Sequence, residues 1–96
     1  MGLQAKKVSM YINEGDEWQE RSLYNQILML LRREGISGAT VVRALEGFTE
    51  NNDPGHKLPL IIQFIDSDDA VGRVLPQLRE MAPKRLITLE EVDVLP

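Results

Sequence analysis

The chain's apolar residues form four segments typical of strands and two with the spacing of a helix, and their order constrains the fold. Residues 6–14 alternate apolar and polar side chains, which predicts a first strand with one buried face. A helix is predicted to begin at Leu23, after the candidate N-cap Ser22. It is predicted to stop at Gly35, because glycine readily takes the left-handed conformation that ends helices.

Two strands are predicted to follow in direct succession. Residues 39–46 are rich in β-branched side chains and apolar on both sides, the pattern of a strand with two buried faces. An Asp-Pro-Gly turn then predicts an exposed loop. Residues 58–65 are almost entirely apolar, so we place this strand at the centre of the sheet. Residues 66–69 supply caps and first-turn acids for a second helix, and residues 85–94 predict a last strand.

This order is that of a ferredoxin-like α+β sandwich, in which a four-stranded antiparallel sheet carries both helices on one face. The other face of the sheet is left uncovered. It must carry the alternate residues of each strand, including Tyr11, Ile61 and Ile65 or their neighbours, and is too apolar to remain in water. The sequence therefore predicts self-association of a single domain that spans residues 1–96.

The amino-acid composition excludes several classes of function. With 43% hydrophobic and 27% charged residues, the chain has the balance of an ordinary globular domain. Zero cysteines exclude a disulfide framework, a thiolate metal site and a cysteine nucleophile. The net charge of −4 gives no electrostatic reason to expect a nucleic-acid partner. No apolar run approaches a bilayer span and the first residues lack a signal-peptide pattern, so we expect a cytoplasmic protein without direct membrane insertion.

The polar residues do not form a recognisable catalytic set. His56 is the only histidine, and a lone imidazole cannot fill a metal's coordination shell, so we predict no metal site and no cofactor. No motif around a serine supports a catalytic triad. The acidic residues between Glu14 and Glu20, among them Asp16, are interpreted as a solvated loop rather than an acid–base pair. We therefore expect a protein that is not an enzyme.

Arg43 lies between Val41 and Leu45 on a strand predicted to be buried, and a buried arginine must be paired. Two interpretations remain open. Arg43 forms an ion pair with a glutamate such as Glu90 or with another subunit, or it binds the phosphate or carboxylate of a small molecule.

Short motifs spread over residues 8–94 match, in their order and spacing, those of a known family. They include Tyr11-Ile12-Asn13-Glu14, Gly38-Ala39-Thr40-Val41, Gly47-Phe48, Leu58-Pro59 and Leu86-Ile87-Thr88-Leu89-Glu90. With these motifs the chain resembles a PII-like bacterial family classified as a domain of unknown function. The resemblance implies a homotrimer similar to the PII signalling proteins, which bind adenine nucleotides in clefts between subunits and contact partners through a long loop.

The same resemblance implies a set of ligand-binding residues. The second long strand lines the pocket in PII-like proteins, so Arg43, Gly47 and Phe48 match by position. Lys84 and Arg85 are implied as anion contacts from the end of the second helix.

Three functions are compatible with these features. The first is a trimeric signalling protein that senses a small anionic metabolite or an adenine nucleotide between subunits and passes the information to a protein target. The second is a trimeric interaction module without a ligand, favoured by the short loop between Phe48 and Leu58 and by the absence of a glycine-rich segment at residues 81–85. The third resembles the trimeric divalent-cation tolerance proteins and needs His56 as a ligand.

Overall fold

The computed structural model describes residues 2–49 and 57–96. Within them lie, in chain order, β1 (Leu3–Asn13), β2 (Glu17–Trp18), β3 (Arg21–Ser22), α1 (Leu23–Arg33), β4 (Thr40–Arg43), β5 (Pro59–Asp66), α2 (Asp68–Met81) and β6 (Leu86–Val94). Four of the strands form an antiparallel sheet in the order β4-β5-β1-β6, while β2 and β3 pair as a small separate hairpin. The predicted ferredoxin-like α+β fold and the central position of β5 are confirmed.

The core lies between one face of the sheet and the two helices. On β1, the alternating residues Val8, Met10 and Ile12 are completely buried, as their period predicts. They lie opposite the buried side chains of Phe64, Ile62 and Leu60 on β5. The helices cover them with Leu23, Ile27, Leu30 and Leu31 from α1 and with Ala70, Val71, Val74, Leu78 and Met81 from α2.

The helix ends follow local sequence signals. Gly35 has a φ of +81°, the left-handed conformation predicted to stop α1. Ser67 caps α2, because its Oγ accepts a hydrogen bond of 3.2 Å from the backbone N–H of Ala70. Ser22 occupies the N-cap position of α1, but its side chain makes no capping hydrogen bond among the described residues.

Strand β4 is shorter and more exposed than predicted. It lies at an edge of the sheet that the described residues form, with β5 as its neighbour there. Val41 packs against the core, but Val42 points to the opposite face, and Leu45 lies beyond the strand with 93% of its surface exposed. The prediction of a strand over residues 39–46 with two buried faces is wrong, since β-branched composition does not distinguish an edge strand from a central one.

The opposite face of the sheet carries an apolar row and a polar row side by side. The register places one residue of each strand in the apolar row, which consists of Val42, Ile61, Tyr11 and Leu86. The adjacent polar row consists of Thr40, Gln63, Ser9 and Thr88. Residues 2–49 and 57–96 place no helix over this face, and both ends of the apolar row are exposed. No helix in this part of the chain is long and apolar enough to cross a membrane.

Candidate functional site

A cavity of about 410 Å³ opens at one end of the uncovered sheet face. It forms where the end of β1 and the start of β6 meet the α2–β6 junction and the segment after β4. The residues that line it are Tyr11, Phe48, Thr49, Arg79, Pro83, Lys84, Arg85, Leu86 and Ile87. Tyr11 and Leu86 also belong to the apolar row, so the cavity and the uncovered face form one continuous surface.

The cavity wall is cationic. Arg79, Lys84 and Arg85 line it, and no acidic residue does so among the residues described. Such a concave wall of one sign favours an anion. Phe48 adds a large apolar surface to the same cavity and is 89% exposed in the single chain.

Arg79 shapes the junction between α2 and β6. Its Nη1 donates hydrogen bonds to the backbone carbonyls of Ala82 and Pro83, both at 3.1 Å, and of Arg85 at 2.9 Å. A cation is favourable at this end of a helix, where backbone carbonyls lack helical partners. The junction that carries Lys84 and Arg85 is therefore held by a side chain of α2, in a segment without glycine.

Arg85 forms a two-bond ion pair with Asp16. Its Nε lies 2.8 Å from Asp16 Oδ2 and its Nη2 lies 2.7 Å from Asp16 Oδ1. The two side chains are only 15% and 19% exposed. Asp16 also accepts a 2.9 Å hydrogen bond from the backbone N–H of Asn13, in a turn where Gly15 has a φ of +94°. The interpretation of Asp16 as part of a solvated loop is wrong, because the turn directs its carboxylate towards Arg85.

Thr49 joins this ion pair to the segment that follows β4. Arg85 Nη1 donates to Thr49 Oγ1 at 3.2 Å, and Thr49 Oγ1 donates to Oδ1 of the buried Asn13 at 2.7 Å. We call Asn13, Asp16, Thr49 and Arg85 the Arg85 network. It ties together the turn after β1, the segment after β4 and the α2–β6 junction.

Three of the five ligand-binding residues implied by the sequence resemblance meet in the cavity. Phe48, Lys84 and Arg85 line the same space although Phe48 lies far from the other two in the sequence. Their role in binding stays a prediction. The resemblance did not point to Arg79, Thr49 or Asp16.

The other two implied residues lie outside the cavity wall. Arg43 is 63% exposed in the single chain, and its Nη2 lies 3.1 Å from Glu14 Oε1. The prediction that Arg43 is buried is wrong, because β4 lies at the sheet edge, and its partner within the described chain is Glu14 rather than Glu90. Gly47 has a φ of +143°, a backbone conformation that side chains rarely adopt.

The described residues contain no group of three or more His, Cys, Asp or Glu side chains that could hold a metal ion. His56, on which the divalent-cation hypothesis depends, lies outside the residues that the structure describes.

Comparison with known families gives a match over most of the chain. The model of the DUF190 family, described as "Uncharacterized ACR", matches residues 5–94. A UPF0166 protein of Methanocaldococcus jannaschii is 35% identical over 86 residues, which cover 82% of this chain and 80% of that protein.

Solved structures of PII-like proteins share the fold. The structure of CPII from Thiomonas intermedia K12, bound to ADP, AMP and acetate, has a TM-score of 0.76 at 18% identity and covers 100% of this chain and 93% of that chain. The complex of Bacillus subtilis GlnK with ATP has a TM-score of 0.60 at 14% identity, covering 96% of this chain and 84% of that chain. The PII-like fold implied by the sequence motifs is confirmed.

Proposed function

The chain belongs to the DUF190 family, and we propose that it is a PII-like regulatory protein of the cytoplasm, without enzymatic activity, which binds an adenine nucleotide or a similar anionic metabolite between the subunits of a homotrimer. The observation that carries this proposal is the cationic cavity at the end of the uncovered sheet face. The protein would then signal ligand binding in this cavity to a protein partner.

The cavity offers both parts of the chemistry that a nucleotide needs. Lys84 provides an exposed ammonium group for phosphate oxygens, and Arg79 adds positive charge to the same wall, whereas the charge of Arg85 is compensated by Asp16. The exposed ring of Phe48 provides an apolar surface on which a planar base can stack. A volume of about 410 Å³ lies within the usual range for small-molecule sites. The PII-like neighbours CPII and GlnK, solved with ADP and AMP and with ATP, support the choice of ligand class.

The uncovered sheet face supports the homotrimer. A neighbouring subunit that packs on the apolar row would remove this row from water. Tyr11 and Leu86 belong to both the row and the cavity, so the same subunit would also close the cavity over its ligand. Assembly and ligand binding would then depend on one surface.

A ligand-free interaction module is the second candidate. The observation that favours it is that Arg79 and Arg85 already bind acceptors of the protein itself. In that case the two guanidinium groups would hold the junction together and would not bind a metabolite.

Calorimetric titration with ADP separates the two candidates. We expect one site per chain in the wild type and an affinity about ten- to hundredfold lower in Lys84→Met, because a charge-assisted hydrogen bond contributes about 1.5–3 kcal/mol. Arg32→Met is the matched control, since Arg32 lies in the last turn of α1 and is not among the cavity residues. Absence of binding by ADP, AMP and ATP would contradict the nucleotide proposal and favour the interaction module.

A further inference from the structure

We propose that Thr49 competes with an anionic ligand for Arg85 while Asp16 compensates the charge of Arg85, so that the ligand-free chain partly occupies its own anion site and both residues lower the site's affinity. The inference rests on the proposed function, because it concerns the same cavity.

Asp16 accepts the stronger hydrogen bonds of the Arg85 guanidinium group. Its two oxygens bind Nε and Nη2 at 2.8 and 2.7 Å, the parallel arrangement that suits arginine and carboxylate best. Both groups are largely buried, so salt screens their attraction only weakly. An anion that enters the cavity therefore meets an Arg85 whose charge is already compensated from the other side.

Thr49 accepts the weaker hydrogen bond of the Arg85 guanidinium group. The bond from Arg85 Nη1 to Thr49 Oγ1 is 3.2 Å long and its acceptor is a neutral hydroxyl. A phosphate or carboxylate oxygen at the same nitrogen would accept a hydrogen bond in which both partners are charged, which is stronger. Thr49 Oγ1 keeps its 2.7 Å bond to Asn13 Oδ1 when this exchange occurs. The exchangeable contact of the Arg85 network is therefore the one to Thr49.

This geometry also defines the ligand chemistry. Asp16 uses one N–H of Nε and one of Nη2, so we expect a ligand oxygen to bind at Nη1, the nitrogen that donates to Thr49. The expected ligand is an oxyanion that accepts a hydrogen bond from Arg85 Nη1 and also lies near the positive charge of Lys84, in the same cavity wall. A terminal phosphate satisfies both conditions.

The test compares the affinities of ADP and of pyrophosphate for four proteins by calorimetric titration at two salt concentrations. Thr49→Val removes the neutral competitor at constant shape, and we expect it to bind both probes about two- to tenfold more tightly, the range that one hydrogen bond of net 0.5–1.5 kcal/mol allows. Asp16→Asn should also bind both more tightly, with a steeper loss of affinity as salt rises, because the charge of Arg85 is no longer compensated.

Glu34→Gln is the matched control. It also neutralises the carboxylate of an arginine pair, since Glu34 Oε1 lies 3.4 Å from Arg73 Nε, and neither residue lines the cavity. Its affinities should equal those of the wild type. If Asp16→Asn does not fold, Thr49→Val alone decides the question.

The outcomes separate this inference from the proposed function. A wild type that binds ADP, with Thr49→Val binding equally or less tightly, overturns the competition and leaves the nucleotide site standing. Binding by Thr49→Val and Asp16→Asn but not by the wild type supports the competition in its strongest form. Absence of binding by all of these proteins overturns both.

Discussion

The bond lengths and burial of the Asp16–Arg85 ion pair predict how much this pair contributes to the free energy of unfolding. Asp16→Asn and Arg85→Met each break the pair while keeping most of the side-chain volume. The pair comprises two charge-assisted hydrogen bonds of 2.7 and 2.8 Å between side chains that are less than one-fifth exposed. Removing one partner leaves a largely buried charged group with fewer acceptors or donors, which is costly. We expect a coupling free energy of about 2–3 kcal/mol between the two positions.

The assay is a double-mutant cycle. The free energy of unfolding of the wild type, both single variants and the double variant is measured in urea at one protein concentration, because assembly shifts apparent stability by mass action. A second cycle with Glu14→Gln and Arg43→Met is the control, since this pair spans 3.1 Å and both side chains are substantially exposed. Exposed pairs contribute about 0–1 kcal/mol.

Equal coupling energies in the two cycles would refute the reasoning. They would mean that solvent screens the Asp16–Arg85 pair as effectively as a surface pair. The α2–β6 junction would then be held in position by Arg79 and by backbone contacts, and Asp16 would not stabilise the position of Arg85.

Three further predictions follow from the sheet face, the helix ends and the cavity. Ile61→Asp places a charge at the centre of the apolar row, and light scattering coupled to size exclusion should show a change from the proposed trimer to a monomer with an unchanged helical circular dichroism signal. Gly35→Ala should lower the free energy of unfolding by about 1–2 kcal/mol because its φ is +81°, whereas Gly38→Ala, outside the left-handed region and with open space around it, should not lower it. Phe48→Ala should leave the stability of the ligand-free protein unchanged, because Phe48 is exposed, and should weaken ADP binding in calorimetry.

Period and order in the sequence were sufficient for the fold. The alternation of Val8, Met10 and Ile12 predicts the buried face of β1, and Gly35 predicts the end of α1. The same reasoning failed for β4, because Val41, Val42 and Leu45 look equally apolar in the sequence. Only the register shows that Val41 faces the helices and Val42 the uncovered face.

The candidate site was predictable only in part. The family resemblance brought Phe48, Lys84 and Arg85 into one set, and the structure places them in one cavity. The partner of Arg85 was not predictable, since Asp16 lies 69 residues away and its carboxylate resembles those of its exposed neighbours. Its position directly after Gly15 was the one local signal, because glycine permits the tight turn that directs the carboxylate inward.

The most direct test of a nucleotide site between subunits is a crystal structure of the assembled protein grown with ADP. We expect a trimer in which one subunit covers the apolar row of the next, the phosphates lie within hydrogen-bonding distance of Lys84, and the base lies against Phe48. ADP bound away from this cavity, or a cavity that stays open to solvent at saturating ADP, would contradict it.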